Sequence, residues 1–288
     1  MVKKFVRQSF ILSITAAFLW ACQIVLFRYQ MIQGENPYTV ALWSTGIEFP
    51  FWIWTLTRSK DEVKKLNPRI INIFVLIGFG SAIAIGLMEN LALAYTTATN
   101  FAFLIRTVVL FTILLSTLFF KEPLTRKKIL MTCTILAGAY FLNINQGYFT
   151  LQLGDIFTLM EAASIAFFTN ILVKKMVMKL DPDFTAAATF MAGSIFLLIV
   201  LVIQKAPFLL HNIPLVFVYS LLGIAFARIR NRAFQHATST FVTMIMSFTP
   251  VFTFILSFIL LGEKLMPIQL FGGLLIVLTG LIAEFIRI

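Results

Sequence analysis

Charged residues are scarce in this chain of 288 residues: they make up 12% of it, whereas hydrophobic residues make up 60%. One soluble core cannot bury so much apolar side chain, so the composition excludes an ordinary soluble fold and indicates a membrane protein with many spans. The net charge is +11, but the basic residues lie in short clusters between apolar runs. Nucleic-acid binding needs them on one solvated face and is therefore not expected.

Cysteine and histidine are also rare, with two of each. Cys22 and Cys133 fall inside apolar runs and support neither a disulfide nor a metal site. The sequence lacks a glycine-rich phosphate loop, an HExxH motif and a GxSxG motif, and the acidic cluster Asp181-Pro-Asp183 is typical of a turn and helix cap. We therefore expect neither an enzyme nor a bound cofactor or metal.

Long apolar runs are what the chain does have. A helix that crosses a bilayer needs about 20 mostly apolar residues. Ten runs meet this condition: 8–28, 38–57, 70–89, 97–119, 127–145, 154–173, 184–204, 214–234, 238–261 and 267–286. The sequence thus predicts an all-α integral membrane protein with ten transmembrane helices.

Lysine and arginine collect in alternate connections between these runs. They lie before the first run, between the second and third, the fourth and fifth, and the sixth and seventh, and at the end of the eighth. Because basic flanks are rarely translocated, these connections are expected on the cytoplasmic side. Both termini are then cytoplasmic, in a multi-pass protein of the cytoplasmic (inner) membrane.

A segment of the first half returns in the second half at constant spacing. The matching pieces are Asn90-Leu-Ala-Leu with Asn231-Arg-Ala-Phe, Thr97-Ala-Thr99 with Thr238-Ser-Thr240, Phe111-Thr112 with Phe252-Thr253, Ser116 with Ser257, and Glu122 with Glu263. Each half holds five predicted helices, an odd number, so the second copy enters the membrane in the opposite orientation. We predict two inverted five-helix repeats, 1–145 and 150–288, with a substrate held between them.

These features resemble the EamA-domain branch of the drug/metabolite transporter superfamily. The shared motifs are Trp20 midway along the first helix, Pro37 and Pro182 before the second and seventh, the segments at Asn90 and Asn231, Pro250 in helix nine, and the glutamates at 122 and 263. The resemblance implies a ten-helix carrier that moves small metabolites or toxic compounds by alternating access. Glu48 lies where many relatives carry a basic residue, so the charge of the pocket is expected to differ.

Three ionisable residues lie near the middle of predicted helices: Glu48, Arg106 and Glu161. A charge at that depth costs about 2.5–3.5 kcal/mol on insertion scales, which makes each a functional candidate. Arg106 suits a carboxylate or phosphate of a substrate, while Glu48 or Glu161 suits an amine or a coupling proton. The alternative is a buried ion pair of Arg106 with one of the two acids, which would hold helices together.

Other candidates are aromatic, or lie nearer the helix ends. Trp20 and Trp43 lie away from the interfaces where tryptophan is common, and either binds substrate or packs in the core. Arg228 is deep enough in helix eight to face a cavity, whereas Arg230 and Arg232 are expected to reach the cytoplasmic headgroups.

Glu89 and Pro250 are candidates for gating or coupling. Glu89 lies at the outer end of helix three, and Pro250 removes one backbone hydrogen bond from helix nine and favours a kink there.

The sequence predicts a secondary active transporter, coupled to protons or to exchange (antiport), for a small polar metabolite. We expect an amino-acid-like or nucleotide-like compound with an anionic group. An exporter of drugs or toxic metabolites is the alternative, while a channel or a lipid-modifying enzyme fits less well because rings of like residues and catalytic motifs are missing. The expected partners are the substrate, membrane lipids and a coupling proton, in a monomer or weak homodimer.

Overall fold

A computed structural model describes residues 2–121, 125–142, 144–145, 148–149, 152–205, 207–262 and 266–285. Almost all of them are helical. The duplicated glutamates Glu122 and Glu263 lie outside the described residues. A two-stranded antiparallel ribbon, β1 (Ile144–Asn145) with β2 (Tyr148–Phe149), lies between the two predicted halves.

The helices follow one another through short connections. They are α1 (Val2–Ile32), α2 (Pro37–Arg58), α3 (Lys60–Val63), α4 (Pro68–Phe79), α5 (Met88–Tyr95), α6 (Ala98–Leu104), α7 (Val108–Phe120), α8 (Arg126–Leu142), α9 (Leu153–Ser164), α10 (Lys174–Val177), α11 (Pro182–Ile203), α12 (Ile213–His236), α13 (Ser239–Ile245), α14 (Thr249–Leu260) and α15 (Pro267–Phe285). Two π-helical segments, Gly80–Leu87 and Ile165–Val173, join α4 to α5 and α9 to α10. Two 3-10 segments, Ile105–Thr107 and Met246–Phe248, join α6 to α7 and α13 to α14.

Three of the helices begin with a capping side chain followed by proline. Asn36, Asn67 and Asp181 accept hydrogen bonds from the first free N–H groups of α2, α4 and α11. Proline fits the next position because its missing N–H would have no partner there. The helix cap predicted at Asp181 is confirmed.

The surface and the interior of the bundle have reversed polarity. Leu118, Leu130, Val202 and Leu209 are among the large apolar side chains that lie more than two-thirds exposed, at 73%, 70%, 76% and 74%. Many hydroxyl groups, by contrast, are fully buried. Such an apolar exterior suits lipid rather than water.

Several helical stretches are long and apolar enough to cross a membrane. Within the described residues there are six: Gln8–Ile32, Asn100–Phe120, Leu153–Val177, Pro182–Ile203, Ile213–His236 and Ser239–Leu260. Shorter apolar helices are Pro68–Ala82, Ile129–Gly138 and Pro267–Thr279. The chain is therefore an all-helical protein with multiple candidate membrane spans.

Helices of the first half pack mainly against helices of the second. α1 lies along α12 and α14, α5 along α9, α11 along α4 and α2, and α15 along α8. The approach of α4 to α11 is close: a Cβ atom at Gly78 would lie 2.5 Å from the Cβ atom of Ala192. The core therefore sits between the two halves, where a cavity would be lined by both.

Candidate substrate cavity between the two halves

A small cavity of about 60 Å³ lies at the centre of the bundle. Its lining includes Trp20 of α1, Glu89 of α5, Arg106 of the first 3-10 segment, and Phe226 and Arg230 of α12. Both halves thus contribute, and three of the five side chains are ionisable. Trp20, Glu89 and Arg106, which were predicted from separate parts of the sequence, come together here.

Arg106 is fully buried, and its charge is only partly satisfied. Its Nη1 donates a hydrogen bond of 2.6 Å to the carbonyl oxygen of Met246 in the other half. Nε and Nη2 have no hydrogen-bond partner in the described part of the chain. Because buried donors normally find acceptors, these two are available to an anionic ligand.

Aromatic rings connect the two arginines of the cavity. The guanidinium carbon of Arg106 lies 4.9 Å from the ring centroid of Trp20. Trp20 stacks on Phe226 at 5.7 Å, and Arg230 lies 4.8 Å from the Phe226 ring. The cavity therefore combines cations with flat apolar faces. The expectation that Arg230 reaches the headgroups is wrong, because its side chain turns inward onto Phe226.

Two buried glutamates complete the charge pattern. Glu89 accepts a hydrogen bond of 3.1 Å from the indole Nε1 of Trp20 and is attracted electrostatically to Arg230. Glu161 is fully buried in α9, and neither carboxylate oxygen has a hydrogen-bond partner among the described residues. It is attracted to Arg106 and repelled by Glu89. Of the two acids considered for Arg106, Glu161 is thus the one that acts on it.

A larger cavity of about 260 Å³ adjoins the central one, between α2, the first π-helical segment, α11 and α12. Arg230 and Thr169 line both cavities. Glu48 projects into the larger one, where its Oε2 accepts a hydrogen bond of 3.1 Å from Trp52 Nε1. Glu48 therefore has a cavity of its own and does not pair with Arg106.

A third cavity, of about 100 Å³, lies toward the predicted outer side. Glu89 lines this cavity and the central one, and Tyr219 of α12 also lines it. The three cavities thus adjoin one another: Glu89 lines the central and the third, Arg230 the central and the larger, and Gly86 and Leu197 the larger and the third. Tyr219 is not predictable from the sequence, because one tyrosine in an apolar helix has no distinguishing pattern.

Trp43 and Arg228 lie outside the central cavity. Trp43 donates to the carbonyl oxygen of Phe208 at 3.0 Å, and its ring lies 5.4 Å from the ring of Phe208, tilted by 59°. Arg228 donates to Asp183 at 2.7 Å, as does Arg232. Arg228 is therefore paired with the carboxylate at the start of α11 and does not line the central cavity. Its role in substrate binding stays a prediction.

Pro250 lies in the first turn of α14, directly after the second 3-10 segment. There its missing N–H costs little. Its counterpart in the duplicated segment, Val109, follows the first 3-10 segment without any proline. The break in the helix therefore does not depend on proline, and the predicted proline kink does not explain it.

The two ends of the bundle carry equivalent contacts, which we name the outer clamp and the inner clamp. In the outer clamp, Arg28 near the end of α1 donates to the carbonyl oxygens of Leu93 and Ala94 at 2.8 and 3.3 Å, and Thr96 donates to Asp155 at 3.2 Å. The first contact satisfies carbonyl groups at the C-terminal end of α5, and the second joins this end to α9 of the other half.

In the inner clamp, Lys174 donates to the carbonyl oxygens of Phe234 and Ala237, the latter at 2.7 Å. Ser9 of α1 donates to Ala233 at 3.1 Å. Leu93 and Phe234 are counterparts in the duplicated segment. Each clamp thus places a basic side chain on the carbonyl end of a helix, where a cation is favourable.

The fold and the cavity define a multi-pass membrane protein with a polar interior lined by both halves. Its residues 8–144 and 152–283 match the EamA-like transporter family, and the chain therefore belongs to that family. The resemblance recognised in the sequence is confirmed.

Two further proteins are similar. An uncharacterized transporter of Archaeoglobus fulgidus is 29% identical over 207 residues, which span 68% of this chain and 63% of that relative. A solved crystal structure shares 15% sequence identity, covers 96% of both chains and has a TM-score of 0.69, which shows a common fold.

Proposed function

We propose that this chain is a secondary active transporter with ten membrane spans in two inverted repeats, and that it moves a small metabolite with an anionic group by alternating access. The observation that carries the proposal is Arg106, whose Nε and Nη2 donors are buried beside the cavity and have no hydrogen-bond partner among the described residues. A planar guanidinium fork binds a carboxylate or phosphate through paired hydrogen bonds. Trp20 and Phe226 line the same cavity and supply apolar contacts for the remainder of the substrate. An amino-acid-like or nucleotide-like compound combines both properties.

The clamps support alternating access. An inverted repeat places equivalent contacts at opposite ends of one cavity, so breaking one while keeping the other opens one side at a time. Arg28 and Lys174 supply these contacts from the first helix of each half. A fixed central cavity with a closable contact at each end is what a carrier needs and a channel does not.

Coupling to a proton follows from the two acids of the site. Glu89 and Glu161 repel each other while both are ionised. A proton on either one relieves that repulsion. An anionic substrate on Arg106 weakens the attraction of this arginine to Glu161, which favours proton uptake there. Substrate and proton thus bind together, and their joint transport is the expected coupling.

The test is a thermal-shift screen of the purified full chain with small carboxylates, phosphates and uncharged analogues. A ligand that binds the folded state raises its melting temperature. Anions are expected to stabilise the wild type and the control Arg58→Gln, whose arginine lies over Trp54 near a helix end, but not Arg106→Gln. Anions that stabilise Arg106→Gln as strongly as the wild type would remove the basis of the proposal.

The compounds identified in the screen are then tested in proteoliposomes. Counterflow of a labelled hit against the unlabelled compound is expected, because a carrier exchanges substrate through one site. Flux that does not saturate and shows no counterflow would indicate a channel instead.

A further inference from the structure

The cavity that contains Glu48 has no role in binding the anionic group. It measures about 260 Å³ and lies beside the central cavity, with Arg230 at the junction. Glu48 is its carboxylate, and no basic side chain forms an ion pair with it in the described part of the chain. Trp52 occupies Oε2, while Oε1 accepts no hydrogen bond from the described residues.

Two of the hydroxyl groups that line this cavity present acceptors rather than donors. Thr45 donates its hydroxyl hydrogen to the carbonyl oxygen of Ala41 at 2.8 Å, and Ser194 donates to that of Met191 at 3.0 Å. Both residues line the cavity, so the lone pairs of their hydroxyl oxygens remain for a ligand. The Glu48 carboxylate and these two oxygens are thus the acceptors of a lining to which Arg230 and Thr189 contribute donors.

The packing of α12 leaves room for the carboxylate. A Cβ atom at position 223 would lie 2.8 Å from Nε2 of Gln23 and 3.0 Å from Oε1 of Glu48. Gly223 therefore leaves room on α12 for both side chains. An ionised carboxylate in an apolar interior is costly unless a cation or a proton accompanies it. Protonation of Glu48 would remove this cost as well, but a bound proton would not need the hydroxyl oxygens of Thr45 and Ser194 as further acceptors.

We propose that Glu48, Thr45 and Ser194 form a cation subsite that binds the ammonium group of the transported compound. An ammonium group has three N–H donors and no acceptor, which matches these three acceptor groups. The inference rests on the proposed function, because it adds a positive group to the anionic compound bound at Arg106. It narrows the substrate class to compounds that carry an amine together with an acid.

The experiment uses three probes that share one aromatic ring: 3-phenylpropionate, phenethylamine and 3-[4-(2-aminoethyl)phenyl]propionate, which carries the acid and the amine on opposite ends of the ring. Binding to the full chain in nanodiscs is measured by calorimetry for the wild type, Glu48→Gln, Arg106→Gln and the surface control Glu62→Gln. Glutamine keeps the acceptor for Trp52, so the variant retains this contact. Thermal unfolding of each variant checks that it is folded.

Phenethylamine is expected to bind the wild type, Arg106→Gln and Glu62→Gln, and to bind Glu48→Gln about tenfold more weakly or not at all, since a charge-assisted hydrogen bond is lost. Phenethylamine that fails to bind the wild type, or that binds folded Glu48→Gln unchanged, overturns the inference. The proposed function fails separately, if 3-phenylpropionate binds Arg106→Gln as well as the wild type. Binding of the third probe should be weakened by both substitutions, and equal binding of this probe to the wild type and to Glu48→Gln also overturns the subsite.

A metal cation prefers oxygen acceptors, as the ammonium group does. The titrations are therefore repeated in sodium chloride and in N-methylglucamine chloride. Phenethylamine binding that does not depend on sodium supports the ammonium assignment. Sodium binding that requires Glu48, with no effect of phenethylamine, would reassign the subsite to a metal ion and overturn the proposal.

Discussion

Lys174→Met is expected to open the end of the cavity that is predicted to face the cytoplasm, and Arg28→Met the end that is predicted to face outward. Lys174 donates to two carbonyl oxygens at the end of α12, and Arg28 donates to two at the end of α5. Methionine has a similar length but donates nothing. Each substitution therefore removes one clamp contact and leaves the other clamp intact.

The size of the effect follows from the bonds that are lost. A hydrogen bond from a charged donor contributes about 1.5–3 kcal/mol, and water replaces part of it once the clamp opens. A net loss of about 2 kcal/mol for each variant shifts the equilibrium between closed and open clamps about 30-fold. A shift of this size is well within the range that labelling rates can resolve.

Cysteine labelling measures the shift. Thr169 lines the central and the larger cavity and is 3% exposed, so Thr169→Cys reports entry from either side. Cys22 and Cys133 are first replaced by serine. A membrane-impermeant thiol reagent is applied to vesicles of each orientation. Lys174→Met should speed labelling from the cytoplasmic side, and Arg28→Met from the outer side.

A matched control is Lys175→Met, because Lys175 follows Lys174 in the chain but lies over the ring of Phe119 at 4.5 Å. It should leave both labelling rates unchanged. If Lys174→Met and Arg28→Met accelerate labelling from the same side, or if neither changes it, the clamps do not control access to the cavity.

Three further predictions concern stability, measured as the melting temperature of the purified protein. Gly78→Ala should destabilise the folded protein by about 1–3 kcal/mol, because its Cβ atom would lie 2.5 Å from that of Ala192. The control is Gly46→Ala, whose Cβ atom would meet no atom of the described residues within 4 Å. Equal melting temperatures of the two variants would contradict this prediction. Asp183→Asn should lower the melting temperature, since the carboxylate accepts from two arginines of α12, and an unchanged value would contradict it. A hydrogen bond from a neighbouring lysine lowers the pKa of Glu62. Its stabilisation is therefore present above pH of about 4.3 and is lost as the pH falls through the lowered pKa, so the difference between wild type and Glu62→Gln should vanish in acid; a constant difference would refute this.

The central cavity was partly predictable from the sequence. Arg106 and Glu161 are single charges deep in apolar runs, and their cost in a membrane marks them without any structure. Trp20 was found by its place in the family motif. Depth along the helix favours Arg228 over Arg230 as the arginine that faces the cavity, and the structure shows the reverse. Which of the two faces the cavity depends on the helices that lie beside α12, and one sequence does not contain that information.

The clamps were not predictable in the same way. From the sequence, Lys174 counts only as a basic residue of a cytoplasmic connection. Its contact with Phe234 depends on how the end of α10 approaches the end of α12. A basic residue near a helix end has the same pattern whether it reaches water, a headgroup or a carbonyl oxygen.

The two copies differ within their 3-10 segments, and these two segments are also in contact with each other. The 3-10 segments Ile105–Thr107 and Met246–Phe248 are counterparts, and Arg106 of one donates to the carbonyl oxygen of Met246 in the other. The counterpart of Arg106 is Ser247, which is buried and has no hydrogen-bond partner among the described residues. A second arginine there would place two like charges against each other in an apolar interior. The serine leaves room for one guanidinium group, so the divergence of the copies accounts for a single proposed anion site in a duplicated fold.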